Sequence, residues 1–248
     1  MNAETPLVKA TSIAPLSNVA AMMTLIQTLR QRPQISSGFG TFSGPSGYGK
    51  TYAARFAQNR TDCLYIEVRS FWTRKTFAQS ILAELSIDKP RGTIADMMEQ
   101  IAYQLGQDPD RVVLIDEADV LVDKNMIELA RDIQEMTAAP VILIGEEKLT
   151  EKLKRFERID NRILDRVLAQ PSDSDDASVL AEIICPKLTV SDKLLTHIVE
   201  RCKGRTRRIA NTLHSVAASA RRAGLSEICI DGFDGTIDTG EIPRRSVR

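Results

Sequence analysis

Gly44-Pro45-Ser46-Gly47-Tyr48-Gly49-Lys50-Thr51 decides the fold of this 248-residue chain. The stretch fits G-x-x-x-x-G-K-[ST], the phosphate-binding P-loop, and each fixed position has a mechanical reason. Gly44 and Gly49 let the backbone turn its N–H groups inward on a polyphosphate, a conformation in which a Cβ would collide. Lys50 is placed to reach the β and γ phosphates of ATP, and the Thr51 hydroxyl to hold Mg²⁺. A helix starting there aims the positive end of its dipole at the same anion. At average residue usage the constrained positions arise by chance in a chain this long only about 1% of the time. Pro45, Ser46, Gly47 and Tyr48, with Tyr52 just beyond, complete the expected nucleotide-binding stretch. Residues 39–43 before it read as a short strand, and 51–58 after it as a helix.

Hydrophobic residues make up 43% of the chain and charged residues 27%, the balance of a soluble globular protein. No apolar run approaches the roughly 18 residues that span a bilayer, and the N-terminus lacks a basic region followed by an apolar signal core. A cytoplasmic protein with no membrane partner is therefore expected. Cys63, Cys185, Cys202 and Cys229 form no C-x-x-C pair and read as small buried apolar residues. Lys plus Arg equal Asp plus Glu at 33 each, which argues against a general basic coat. The distribution is uneven: residues 186–225 carry nine basic side chains against two acidic ones, whereas 171–185 are acidic. That asymmetry points to an anionic partner or to subunits meeting through opposite faces.

Read outward from the loop, the chain alternates strands and helices. Apolar residues at helical spacing over 15–30 predict a first helix. Apolar runs at 63–68, 111–116 and 140–145 predict strands covered on both faces, with helices at 76–85, 93–105 and 125–137 between them. The pattern predicts a parallel sheet between two helical layers. Residues 146–165 read as a charged helix, 167–169 as a short edge strand, and 228–230 as a lone strand. The predicted organisation is a flexible arm at 1–14, an α/β nucleotide-binding domain at 15–170, a small all-α lid at 171–230 and a flexible basic tail at 231–248.

The second half of the nucleotide site falls at 112–117. An apolar strand delivers Asp116 across from Thr51, where it can hold the Mg²⁺ shell. Glu117 follows directly and can orient and deprotonate an attacking water. Asp116-Glu117-Ala118-Asp119 also spells the four letters of the DEAD-box helicases, but those enzymes need two tandem domains and further motifs that this sequence lacks.

The order of elements resembles the AAA+ ATPases, a P-loop three-layer sandwich with an all-α lid, over nearly the whole chain. In that superfamily the strand after the acidic motif ends in a polar sensor residue. The matching place here is Ile144-Gly145-Glu146, which departs from the pattern and leaves Glu146 as the candidate. The resemblance also implies an arginine finger that enters a neighbouring subunit's site. Among the four arginines of 154–166, Arg158 and Arg162 are the favoured candidates. Gly204-Arg205-Thr206-Arg207 resembles the sensor-2 region, with Arg207 in the position that would contact the γ-phosphate from the lid.

Within that superfamily, three features look like the ATPase subunits of DNA transposition, the phage Mu transposition protein B and its TnsC and TniB relatives. They are the N-terminal helix leading into the P-loop, the 69–82 segment RSFWTRKTFAQSIL and the LIGEEKL run at 143–149. One departure is that the phage Mu protein carries a helix-turn-helix domain, for which there is no room before this P-loop. The resemblance implies an ATP-dependent, sequence-indifferent duplex-DNA-binding ATPase that assembles helically on target DNA and delivers it to a transposase. Arg69, Arg74 and Lys75, after the second strand, would contact DNA phosphates. Two other readings stand beside it. One is an initiator or helicase loader of the Orc/Cdc6 kind, which would usually add a C-terminal winged helix, and the tail is short for one. The other is a regulatory or secretion-associated ATPase acting on protein partners.

Overall fold

The computed structural model describes residues 16–33 and 36–241. The expected arm at 1–14 and the last residues of the expected tail, 242–248, lie outside the described residues. Helix α1 (Ser17–Arg30) precedes strand β1 (Phe39–Ser43), the P-loop and α2 (Lys50–Arg60). Strand β2 (Leu64–Glu67) leads through a turn to α3 (Arg74–Glu84) and α4 (Ile94–Gly106). Then come β3 (Val113–Asp116), the short α5 (Ala118–Asp123), α6 (Glu128–Thr137), β4 (Val141–Gly145), the short α7 (Leu149–Leu153) and α8 (Glu157–Asp160), and β5 (Ile163–Leu168). A helical unit follows: α9 (Ser174–Ile184), β6 (Thr189–Val190), α10 (Asp192–Cys202), α11 (Thr206–Ala223) and β7 (Glu227–Ile228).

The five strands pair in parallel in the order β2-β3-β4-β1-β5. Successive side chains of a strand point to opposite faces, so strands apolar at every position need cover on both. Val113, Ile115, Val141 and Leu143 enter one apolar layer with Phe77, Ile81, Met97, Ile101 and Ile133 of α3, α4 and α6. Leu114, Ile142, Ile144 and Phe42 enter the other with α1 and α2, and this second layer continues into Leu180, Leu194, Ile209 and Leu213 of the helical unit. The sandwich and the helical unit thus share one core, and that shared core lies beside the P-loop. In open parallel sheets ligands bind at the carboxyl ends of the strands, where Gly44, Asp116 and Gly145 all fall.

Five expectations change. The charged stretch after Gly145 is two short helices, and the edge strand starts at Ile163, earlier than expected. Its mixed composition hid a period-2 pattern that pairing with β1 enforces: Ile163, Asp165 and Val167 are half-buried, while Leu164, Arg166 and Leu168 face out. The lone strand is instead Glu227–Ile228, paired in parallel with Thr189–Val190. Residues 231–241, expected to be mobile, run along α11. The Asp238 N–H donates to Thr212 Oγ1 (3.0 Å), Asn211 Nδ2 to Asp238 Oδ2 (2.9 Å) and Arg208 Nη1 to the Thr239 carbonyl (2.6 Å). Cys63, Cys185 and Cys202 are buried as expected, but Cys229 is exposed. Among the described residues no helix is long and apolar enough to cross a membrane.

One buried side chain, unremarkable in the sequence, ties this architecture to the P-loop. Asn18 on α1 donates from Nδ2 to the carbonyls of Tyr48 (2.8 Å) and Gln170 (2.7 Å), and its Oδ1 accepts from the Gln170 N–H (2.9 Å). It therefore fixes the middle of the loop to the end of the sheet. Beside it, the Ser17 N–H and hydroxyl both donate to Asp176 Oδ1 of α9 (2.7 and 3.0 Å). Replacing Asn18 with Ala leaves three part-buried backbone groups without this partner, which costs roughly 1–3 kcal/mol. Urea unfolding should show that loss together with weakened nucleotide binding; an unchanged midpoint would remove Asn18 from this role.

Candidate nucleotide-binding site

The P-loop, the ends of β3 and β4, and helices α9 and α11 enclose a cavity of about 500 Å³. Gly47 (φ +89°) and Gly49 (φ +80°) hold the left-handed turns of the loop, a region costly to any residue with a Cβ. Gly44 does not. Its glycine is required by a close approach, because a Cβ there would lie 3.0 Å from the Ala169 side chain and 3.2 Å from its carbonyl. Pro45 lies between that contact and the turn, with its carbonyl facing Lys50. Lys50 Nζ donates to the carbonyls of Gly44 (2.6 Å) and Pro45 (3.0 Å). Burial pulls its pKa below the ordinary lysine value, opposed by Asp116, Glu117, Glu146 and Asp119. Thr51, Tyr52 and Glu146 line the same cavity.

Asp116 ends β3 almost fully buried. Its Oδ2 accepts from the Tyr65 hydroxyl (2.9 Å) and its Oδ1 from the Glu117 N–H (2.9 Å), which pins the carboxylate plane. Tyr65 also lies under the Arg55 guanidinium, 4.3 Å from the ring centroid. Burial, then the Asp116 charge, raise the Tyr65 phenol far above its ordinary pKa, so it stays a donor. Glu117 adopts the left-handed region (φ 56°, ψ 38°). That conformation costs a residue with a Cβ roughly 1–2 kcal/mol, and strain of this kind clusters at functional sites. Burial first, and then the charges of Asp116, Asp119 and Glu146, push the Glu117 carboxyl above its ordinary pKa.

Gly145 replaces the polar residue expected at the end of β4 for a steric reason. A Cβ at this position would collide with the Asp119 carboxylate. Asp119 Oδ2 accepts from the Glu146 N–H (2.7 Å), and Oδ1 pairs with Lys152 Nζ (3.3 Å). The carboxylate at the end of β4 thus comes from α5 and directs the backbone that carries Glu146 into the cavity.

The helical unit closes on the loop through backbone contacts. Arg205 Nη1 donates to the Ser46 carbonyl (2.6 Å), and the Arg207 N–H to the Gly47 carbonyl (3.1 Å). The Arg207 side chain lines the cavity. Sequence reasoning singled out Arg207 and overlooked Arg205, as it overlooked Asn18, Tyr65 and Asp119.

Arg158 and Arg162 lie on and just after α8, outside their own chain's cavity. Arg162 pairs with Glu135 (2.6 Å) and donates to the Arg158 carbonyl. Arg166 pairs with Asp160 (3.0 Å). Arg158 is exposed and has no side-chain partner among the described residues. The structure does not bring Arg69, Arg74 and Lys75 to the cavity either; they sit on the turn after β2 and the first turn of α3, all exposed. Arg69 pairs with Glu67 (2.8 Å), and Arg74 Nη2 donates to the Asn125 carbonyl (3.3 Å).

Residues 34–153 match the sequence model of the family described as AAA domain. No curated protein matches the sequence. Among solved structures, the fold is similar to that of the Aeropyrum pernix Orc1 protein in complex with DNA, with a TM-score of 0.66 at 15% identity over 92% of this chain and 66% of that one. Cdc6p from Pyrobaculum aerophilum gives 0.58 at 17% identity, over 89% of this chain and 66% of that one. Domain III of the Thermotoga maritima replication initiation protein DnaA gives 0.56 at 17% identity, over 89% and 90%. The chain therefore spans slightly less than two thirds of the length of the Orc1 and Cdc6 chains. Its α/β fold, built on a parallel five-stranded sheet, is typical of P-loop AAA+ domains.

Proposed function

We propose that this protein is an ATPase whose ATP-bound copies assemble on duplex DNA, independent of sequence. The observation that carries the ATPase part is the convergence of Lys50, Thr51, Asp116, Glu117 and Arg207 on one cavity. Gly44 to Thr51 would cradle the triphosphate, Lys50 leaving its two carbonyls for the β and γ phosphates. The donor set suits Mg²⁺, a hard cation that takes oxygen ligands. Each Asp116 oxygen accepts one hydrogen bond and keeps lone-pair capacity, and the Thr51 hydroxyl lines the cavity. Among the described residues no group of three or more His, Cys, Asp or Glu could hold a metal, so phosphate oxygens would complete the shell. When bound, the ion would offset phosphate charge. Glu117 is the base for the attacking water, with Glu146 the candidate for orienting it.

Arg158 is the better of the two finger candidates, because using Arg162 would first require breaking its pair with Glu135. A site completed by a neighbour's Arg158 makes ATP the joint between copies and hydrolysis the step that releases it.

The DNA part rests on Arg69, Arg74 and Lys75. It also draws on likeness of fold to proteins solved with DNA, the Orc1 protein above and Drosophila ORC (TM-score 0.59, 15% identity, 91% of this chain and 61% of that chain). That likeness favours a platform of the initiator or helicase-loading kind. The second reading, delivery of target DNA to a transposase, draws on the resemblance carried by 69–82 and 143–149. A transposase gene beside this one would favour the second reading, and replication genes the first.

Glu117→Gln should slow phosphate release by about 10²–10⁴-fold while ATP still binds, and Arg158→Ala should be similarly slow. Mixed together, the two variants should recover activity, since a site with intact Glu117 then meets an intact finger. No recovery would place Arg158 outside the neighbouring site. Replacing Arg74 and Lys75 with Ala should abolish ATP-dependent filter retention of random duplex DNA without loss of nucleotide binding; unchanged retention would move the DNA surface elsewhere.

A further inference from the structure

The turn between β2 and α3 displays an aromatic ring that the ATPase chemistry does not use. Phe71 is 77% exposed, more than any other large hydrophobic side chain among the described residues. The ring stands clear because its scaffold is held on several sides. The Val68 N–H donates to the Asp116 carbonyl (3.0 Å), extending the β2–β3 pairing, and the Trp72 N–H to the Arg69 carbonyl (3.0 Å), closing the turn. Lys124 Nζ donates to the Trp72 carbonyl (2.9 Å). Thr73 caps α3 by accepting from the Thr76 N–H (3.2 Å). Trp72 is half-buried against the apolar layer beneath. The neighbouring tryptophan thus anchors the turn while Phe71 faces solvent.

The chain around the ring is cationic: Arg69 precedes it, and Arg74 and Lys75 follow on the first turn of α3, all exposed. An apolar ring for a protein core would not be bordered by three cations, and a protein-docking patch would be wider than one residue. We propose that Phe71 is a wedge that inserts between base steps of duplex DNA while Arg69, Arg74 and Lys75 hold the flanking phosphates. This inference rests on the DNA-binding reading above and assigns the contact that reading leaves open. A ring that stacks or unstacks bases fits sequence-indifferent binding, because every base offers a π-face. A turn already fixed in place loses little freedom on binding.

Phosphate contacts and ring insertion separate by salt dependence. With a non-hydrolysable ATP analogue present, Phe71→Ala should weaken binding to a random duplex roughly tenfold, the scale of one stacking contact. The slope of log K against log salt should stay the same. Lys75→Ala should instead lower that slope by about one phosphate contact. In a duplex carrying 2-aminopurine, the protein should raise the base fluorescence as a step unstacks; Phe71→Ala should abolish the rise and Phe71→Trp restore it. Affinity of each variant for the ATP analogue checks the fold. Unchanged DNA affinity in Phe71→Ala, or no fluorescence rise with the unaltered protein bound, overturns the wedge and leaves the DNA reading standing. Loss of self-association without DNA in Phe71→Ala, with DNA affinity kept, would make the ring a protein contact and also overturn it. Failure of the unaltered protein to bind DNA defeats the reading beneath the proposal.

Discussion

The P-loop must hold two left-handed glycines, Gly47 and Gly49, at a fixed position against the ends of β3 and β4. Much of the surrounding structure serves that constraint. Asn18 binds the Tyr48 carbonyl from α1, Arg205 the Ser46 carbonyl from the helical unit, and the Arg207 N–H the Gly47 carbonyl. Lys50 donates to the carbonyls of Gly44 and Pro45 from inside the loop. The five consecutive carbonyls of residues 44–48 are thereby tied outward or to Lys50, which leaves the N–H groups of the turn for an anion.

Opposite this cradle stands an acidic wall that the fold stabilises at some cost. Asp116 is buried and bonded to Tyr65, Glu117 sits in a strained backbone region with a raised pKa, and Asp119 occupies the space that a side chain at 145 would need. Carboxylates gathered around one lysine repel each other, and burial adds to the penalty on each. A cation bound with the nucleotide would relieve part of that repulsion. The site is in this sense organised for a charge it does not itself supply.

Most of the sandwich was legible in the sequence because its strands are apolar at nearly every position, and because the P-loop and Asp116 sit at their ends. What stayed hidden has a common physical origin in contacts between residues far apart in the chain. Asn18 and Gln170 are separated by 152 positions, and Arg205 and Ser46 by 159, so no local pattern announces them. Gly145 was visible as a departure from a polar residue, but its reason, the Asp119 carboxylate, lies on another element. Strand β5 reads short in the sequence because Asp165 and Arg166 interrupt its apolar character. The 231–241 segment carries no pattern that announces its place, because its hydrogen bonds to α11 run through Asp238 and a backbone carbonyl rather than through a hydrophobic stripe. Arg158 and Arg162 were equal in the sequence, and only the pairing of Arg162 with Glu135 separates them.

The central claim is that ATP is the joint between copies of this protein and duplex DNA the surface on which they gather. Electron microscopy of the protein with duplex DNA, with and without a non-hydrolysable ATP analogue, tests it most directly. The account predicts ordered assemblies only when nucleotide and DNA are both present. Dispersed single particles under all conditions, or assemblies that form equally well without nucleotide, would contradict it.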